Sequence, residues 1–143
     1  YEVLRNGAVI ATVATPGATL TGQPVNTNNF YQVRAFDAAG NRSSNTASVL
    51  VVIPGPDTVK PSVPTALAAS VTPPNTVVLT WNASTDNIGV TGYEVYRNGV
   101  LAATVSSPTA TLTGLTGNNF YQVLAFDAAA NKSAKTASVL VTL

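Results

Sequence analysis

Only 9% of the 143 residues are charged, and seven cations against six anions leave a net charge of +1. The cations are scattered, so the chain has neither a basic stripe for nucleic acid nor a polybasic patch for a membrane surface. Cysteine and histidine are both absent, which removes a disulfide frame, a thiolate metal site and the side chain best suited to general acid-base work near neutral pH.

Apolar residues make up 45% of the chain, enough for a packed core. No apolar run reaches the roughly 18 residues that a spanning helix needs. The surface is left to Thr, Ala, Asn, Ser and Val, a low-charge, β-favouring mixture commoner in secreted proteins than in cytosolic ones. Chain order shows a repeat. Tyr1–Gly22 matches Tyr93–Gly114 at 15 of 22 positions, and after a two-residue length difference Asn28–Ile53 matches Asn118–Leu143 at 19 of 26. Two copies of one unit follow. The 36 residues from Asp57 to Gly92 have no counterpart before Tyr1, so the first copy, residues 1–53, is expected to be the C-terminal part of a domain whose remaining strands lie upstream or come from another chain.

In the first copy, Asn6-Gly7 follows the strand that begins the repeat and supplies the two positive-φ residues of a type I′ hairpin turn. Residues 54–63 open a proline-rich stretch, with four prolines between Pro54 and Pro64, which reads as a short, semi-rigid joint. The second copy, 64–143, shows the whole plan. Pro64–Val71 is an edge-type strand with its prolines at or before its start. Thr76–Trp81 alternates, with Val77, Leu79 and Trp81 on one face. Asn82–Thr91 is a loop on its Asn, Asp, Ser and Gly content. Gly92–Arg97 turns Tyr93 and Val95 inward and ends on a second Asn-Gly turn, Asn98-Gly99. Leu101–Val105 and Thr109–Leu112 are short strands split by Pro108. Asn118–Asn131 carries the best-preserved strand and turn, with Tyr121, Val123 and Ala125 on one face and Phe120, Gln122, Leu124 and Phe126 on the other. A last strand takes Ala137, Val139 and Val141. Seven short strands at this spacing, without a helical period, predict an all-β fold of tandem antiparallel seven-stranded β-sandwiches, the first copy truncated.

Pro61-Ser62-Val63-Pro64, Trp81 through Asn87, Gly92 through Gly99 and Ala125 through Ala129, closing on Asn131, resemble the fibronectin type III modules of bacterial secreted multidomain proteins, an immunoglobulin-like family found in chitinases and cellulases. The resemblance spans essentially the whole chain. It implies that Trp81 is the core tryptophan of the second strand. It also exposes a departure: the family places a corner tyrosine two residues before the position of Tyr121, where this chain has Asn119, and Asn29 in the first copy. The corner hydrogen bond is then made by Asn, lost, or taken over by a neighbour.

The acids are Glu2, Asp37, Asp57, Asp86, Glu94 and Asp127. Asp86 and Asp127 fall on loops at the same end of such a sandwich and are the one candidate pair for calcium or for glycoside chemistry. Turn capping by each Asp is the preferred reading, and no catalytic residue, cofactor or metal is assigned. Asn41, Asn82 and Asn131 each begin an N-glycosylation pattern and are better read as turn residues. Serines without a base are unactivated nucleophiles. By parity Tyr96, Leu124 and Phe126 point away from the core, as do Leu4, Arg34 and Phe36 in the first copy; half-cover by the short neighbouring strand and loops is the preferred reading, and the alternative is an interaction face for another copy of the chain or for a polysaccharide. Glu2 and Arg34 should be cross-strand neighbours there, an exposed pair worth at most about 1 kcal/mol, and Glu94 should lack that partner because Leu124 replaces the arginine. The expectation is a non-catalytic extracellular spacer or scaffold that sets the distance between neighbouring domains of one polypeptide. The alternative is a structural repeat of a filament, surface layer or phage fibre.

Overall fold

Alternating side chains become eleven antiparallel strands and no helix in the computed structural model, which describes residues 1–143. The chain divides into two units, Tyr1–Pro56 and Asp57–Leu143. The first holds β1 (Glu2–Arg5), β2 (Ala8–Thr12), β3 (Asn28–Arg34) and β4 (Val49–Val52) in one sheet of order β2-β1-β3-β4. The second holds β5 (Thr65–Thr72), β6 (Thr76–Asn82), β7 (Val90–Arg97), β8 (Val100–Val105), β9 (Thr109–Leu112), β10 (Asn118–Asp127) and β11 (Val139–Thr142). These seven strands form two sheets, β11-β10-β7-β8 and β5-β6-β9. Of the stretch expected as a joint, residues from Asp57 onward are held to the second unit. Pro61 and Pro64 are buried, and the Ser62 N–H donates to the Thr85 carbonyl at 2.8 Å.

The core of the second unit lies between the inner faces predicted by parity. Val77, Leu79 and Trp81 of β6 meet Tyr93 and Val95 of β7 and Tyr121, Val123 and Ala125 of β10. The Trp81 and Tyr93 rings pack edge to face with centroids 5.3 Å apart, a favoured aromatic geometry. Both Asn-Gly turns adopt the positive φ angles that a type I′ hairpin requires, 51° and 84° at Asn6-Gly7 and 50° and 83° at Asn98-Gly99.

The asparagines at the corner position make hydrogen bonds of their own. Buried Asn119 donates from Nδ2 to the carbonyls of Thr116 (3.1 Å) and Gly117 (3.0 Å), and its Oδ1 accepts from Asn98 Nδ2 at 3.3 Å. Asn29 likewise donates to the carbonyls of Pro24 and Thr27. A short amide tethers the chain entering the strand, so the position keeps a pinning role without a tyrosine.

Beyond β11, the edge of β10 is satisfied by hydroxyls. The Ala125 N–H donates to Ser133 Oγ (2.9 Å) and the Val123 N–H to Thr136 Oγ1 (3.1 Å). The first unit repeats this with Ser43 and Thr46. The turn between is closed by an aspartate whose two oxygens accept from the backbone and side chain of an asparagine four residues on, Asp127–Asn131 and Asp37–Asn41. The same turn places Gly40 at φ 86° in the first unit and Ala130 at φ 66° in the second. The left-handed region costs a residue with a Cβ roughly 1–2 kcal/mol, and glycine's greater unfolded-state freedom cancels part of that. Ala130→Gly is therefore expected to stabilise the second unit by about 0.5–1 kcal/mol, read as a higher denaturant midpoint at unchanged slope.

Candidate functional site

Strands β7 and β10, and β1 and β3, carry five of the six residues expected as an interaction face, Phe36 lies just beyond β3, and the structure separates them. Leu4 and Leu124 are buried, at 3% and 6% exposure. Arg34, Tyr96 and Phe126 are half-buried, and Phe36 is 42% exposed. Leu4 and Leu124 are covered more fully than the half-cover expected there. Leu124 lies beside Glu94 in register. The rings are likewise occupied by their own chain. Tyr96 Oη donates to Glu94 Oε2 at 2.7 Å, and Lys135 Nζ sits 3.4 Å from the Tyr96 ring centroid, a cation–π contact. The Phe126 ring lies against Gly92, where an added Cβ would meet its Cζ at 3.0 Å and the Val105 carbonyl at 2.7 Å.

Glu94 therefore does have a cationic partner. Lys132 Nζ reaches its Oε1 at 2.6 Å. In the first unit Glu2 binds Arg34 at 2.6 Å, as its register position requires, and also Arg42 through two bonds of 3.0 Å. Arg42 and Lys132 occupy equivalent positions just after the Asp-to-Asn turn, where isolated bridges pair Phe36 with Arg42 and Phe126 with Lys132. The turn brings each cation back over the acid, an arrangement that strand parity alone does not reveal. Nor is the Glu2 pair fully exposed: the Glu2 side chain keeps 11% of its surface and Arg34 26%.

Hydrogen bonds from Arg42 and then Arg34 hold the Glu2 carboxyl at about 2, below its ordinary 4.5. Hydrogen bonds from Lys132 and Tyr96 lower Glu94 as well. Because the folded pKa of Glu2 is depressed, its contribution to stability is fully present above pH 4.5 and is lost as pH falls from 4.5 through about 2. A carboxyl-carbon NMR titration should place the Glu2 midpoint near 2. In Arg42→Ala the midpoint should move toward 4.5; an unmoved midpoint would show that the bidentate pair does not form.

The loop acids of the second unit converge beside the same turn. Asp86 and Asp127 come together as expected from the loop positions, and Asp57 joins them, with a carboxylate oxygen of each within 4.8 Å of the others. Most of these oxygens cap turns. Asp86 Oδ2 accepts from the Ile88 and Gly89 N–H groups, and Asp57 Oδ1 accepts from the Val59 N–H and from Asn87 Nδ2. Asp127 is buried with both oxygens engaged by Asn131. Asp86 Oδ1 has no hydrogen-bond partner. A calcium ion takes six to eight oxygen ligands, whereas the carboxylates here are largely spent on the turns. A glycosidase needs one carboxyl kept protonated by a raised pKa. Burial pushes the Asp127 pKa upward, but its hydrogen bonds, those from Asn131 first and those with Ala129 and Asp57 after them, together outweigh it and the carboxyl is held low. No local signal marked Asp57, which sits in the proline-rich stretch and reaches the cluster through tertiary packing.

The fold and these sites define a class, a β-sandwich module with Asx-capped turns and internally satisfied faces. The fold is that of the fibronectin type III modules. A solved structure described as FN3tt mut matches 59% of this chain and 97% of its own length, with a TM-score of 0.50 and 20% identity. Among sequence relatives, chitinase A1 of Niallia circulans is 44% identical over 142 residues, 95% of this chain and 20% of that protein. Exoglucanase B of Cellulomonas fimi is 41% identical over 149 residues, 99% of this chain and 14% of that protein. The chain thus spans a fifth or less of the length of either relative. No family model matches it.

Proposed function

We propose that the chain is a non-catalytic spacer and scaffold within a larger extracellular bacterial protein, setting the distance and orientation of neighbouring domains. The observation that carries this reading is the coverage: relatives named as a chitinase and an exoglucanase each match nearly all of this chain with no more than a fifth of their own length. A segment of that size, with its acids committed to turns and ion pairs, fits an accessory part of a polysaccharide-degrading enzyme. Of the four prolines between Pro54 and Pro64, Pro61 and Pro64 are buried in the second unit, which leaves Pro54 and Pro56 to limit the flexibility of the joint, and low charge keeps the module from holding partners by electrostatics.

The test is replacement in the parent polypeptide. Deleting the chain should leave hydrolysis of a soluble substrate unchanged and reduce hydrolysis of an insoluble one. An unrelated β-sandwich pair of equal length should restore it. Failure of that substitute, or retention of the isolated chain on insoluble chitin or cellulose, would replace the spacer reading with specific binding.

A further inference from the structure

The stretch between the two units is held from both sides, each part by its own unit. In the first unit the Asn26 N–H donates to the Ile53 carbonyl at 2.8 Å, and Asn26 Oδ1 accepts from the Gly55 N–H at 2.9 Å. One asparagine thus spans Pro54 with a backbone bond and a side-chain bond. The fit is close. A Cβ added to Gly55 would meet Asn26 Nδ2 at 2.5 Å, so a larger residue displaces the amide. Asn26 itself holds φ at 55°, a left-handed conformation that asparagine tolerates better than most residues.

The repeat shows that this contact is not a general property of the unit. Five residues join Gly22 to Asn28, whereas three, Leu115-Thr116-Gly117, join Gly114 to Asn118. The shorter loop carries no amide side chain, and Asn26 belongs to the longer one. In the second unit Asn131 Nδ2 donates to the Asp57 carbonyl at 3.3 Å, and Asn87 Nδ2 donates to Asp57 Oδ1 at 3.2 Å. The Thr85 N–H donates to Ser62 Oγ at 2.8 Å. Pro56 alone stands between Gly55 and Asp57, and its ring fixes φ.

We propose that Asn26 and Gly55 form a clasp that confines the joint between the units to Pro56, in place of the whole stretch 54–63 that composition marks as a joint. Proline stiffens a chain locally, and the Asn26 amide sets where the free chain begins. That such a joint orients neighbouring domains rests on the spacer reading; the confinement itself does not.

Nitroxide pairs at the equivalent exposed positions, Thr12→Cys and Thr104→Cys, measure the joint, because the chain has no cysteine of its own. Electron–electron double resonance on the full chain should give one narrow distance distribution. Asn26→Gly keeps the positive φ, removes the amide and frees Pro54 and Gly55, and it should widen the distribution at least about twofold. Gly55→Ala should widen it equally, and the two together no further. Thr58→Gly, inside the segment held by the second unit, should leave it unchanged. Equal widening by Thr58→Gly and Asn26→Gly, or a wild-type distribution as wide as that of either variant, would overturn the proposal. Hydrogen exchange gives a second readout: the Gly55 amide should exchange at least roughly tenfold faster in Asn26→Gly while β1 and β3 exchange as before. Unchanged exchange at Gly55 would show that Asn26 does not hold it. A narrow distribution combined with failure of the unrelated sandwich pair to restore hydrolysis would leave the clasp standing and remove the spacer reading.

Discussion

Replacing Trp81 with alanine is expected to leave the second unit barely folded. The indole is the largest side chain that β6 contributes to the core, 6% exposed and packed edge-on against Tyr93. Removing an aromatic side chain from a packed core costs about 3–5 kcal/mol, because lost transfer energy adds to an unfilled cavity. Domain stabilities run only about 5–15 kcal/mol, so that loss takes a large share of the total. Far-ultraviolet circular dichroism during urea unfolding measures it, since the chain's sole tryptophan is then gone as a reporter. Trp81→Phe should retain part of the loss. A change below about 1 kcal/mol for the alanine variant would contradict the core placement.

Asn119→Ala is the second large effect. The variant orphans the carbonyls of Thr116 and Gly117 and the amide of Asn98 that now bonds Asn119. Thr116, Gly117 and Asn98 are themselves exposed, so water takes up most of the freed groups and the expected loss is the net worth of the hydrogen bonds, about 1–2 kcal/mol in total. The Asn98 end matters because Asn98 Oδ1 also accepts the Phe120 N–H at 2.8 Å, so the corner and the hairpin turn share one network. Asn119→Asp separates hydrogen bonding from packing. It keeps the shape but replaces the donor with an acceptor facing two carbonyls, and it should cost at least as much as alanine. Denaturant midpoints of the two variants, compared with wild type, check the order.

The legible parts of this protein are those set by neighbours along the chain. The period of two marked β6, β7 and β10 and assigned Tyr93, Val95, Tyr121 and Val123 to the interior. The Asn-Gly pairs predicted their own turns, because few residues tolerate two successive positive φ angles. The cross-strand pair Glu2–Arg34 also followed from register. What escaped the sequence lies across tertiary distances. Lys132 reaches Glu94 from 38 positions away only because a turn folds it back. Leu124 is on the outer face and yet buried. Asp57 meets Asp86 and Asp127 from a stretch whose composition reads as a joint.

The sequence by itself determined the all-β class, the repeated unit, the turns and the sides on which side chains lie, since these depend on residue type and a two-residue period. Tertiary structure decided which side chains are covered and which segments complete a sheet. Ala110-Thr111-Leu112 lies in a strand beside β6, and the identical Ala18-Thr19-Leu20 is not a strand in the first unit, which lacks that neighbour. A β-strand's backbone hydrogen bonds run to another strand rather than to itself, so its formation is a property of the pair.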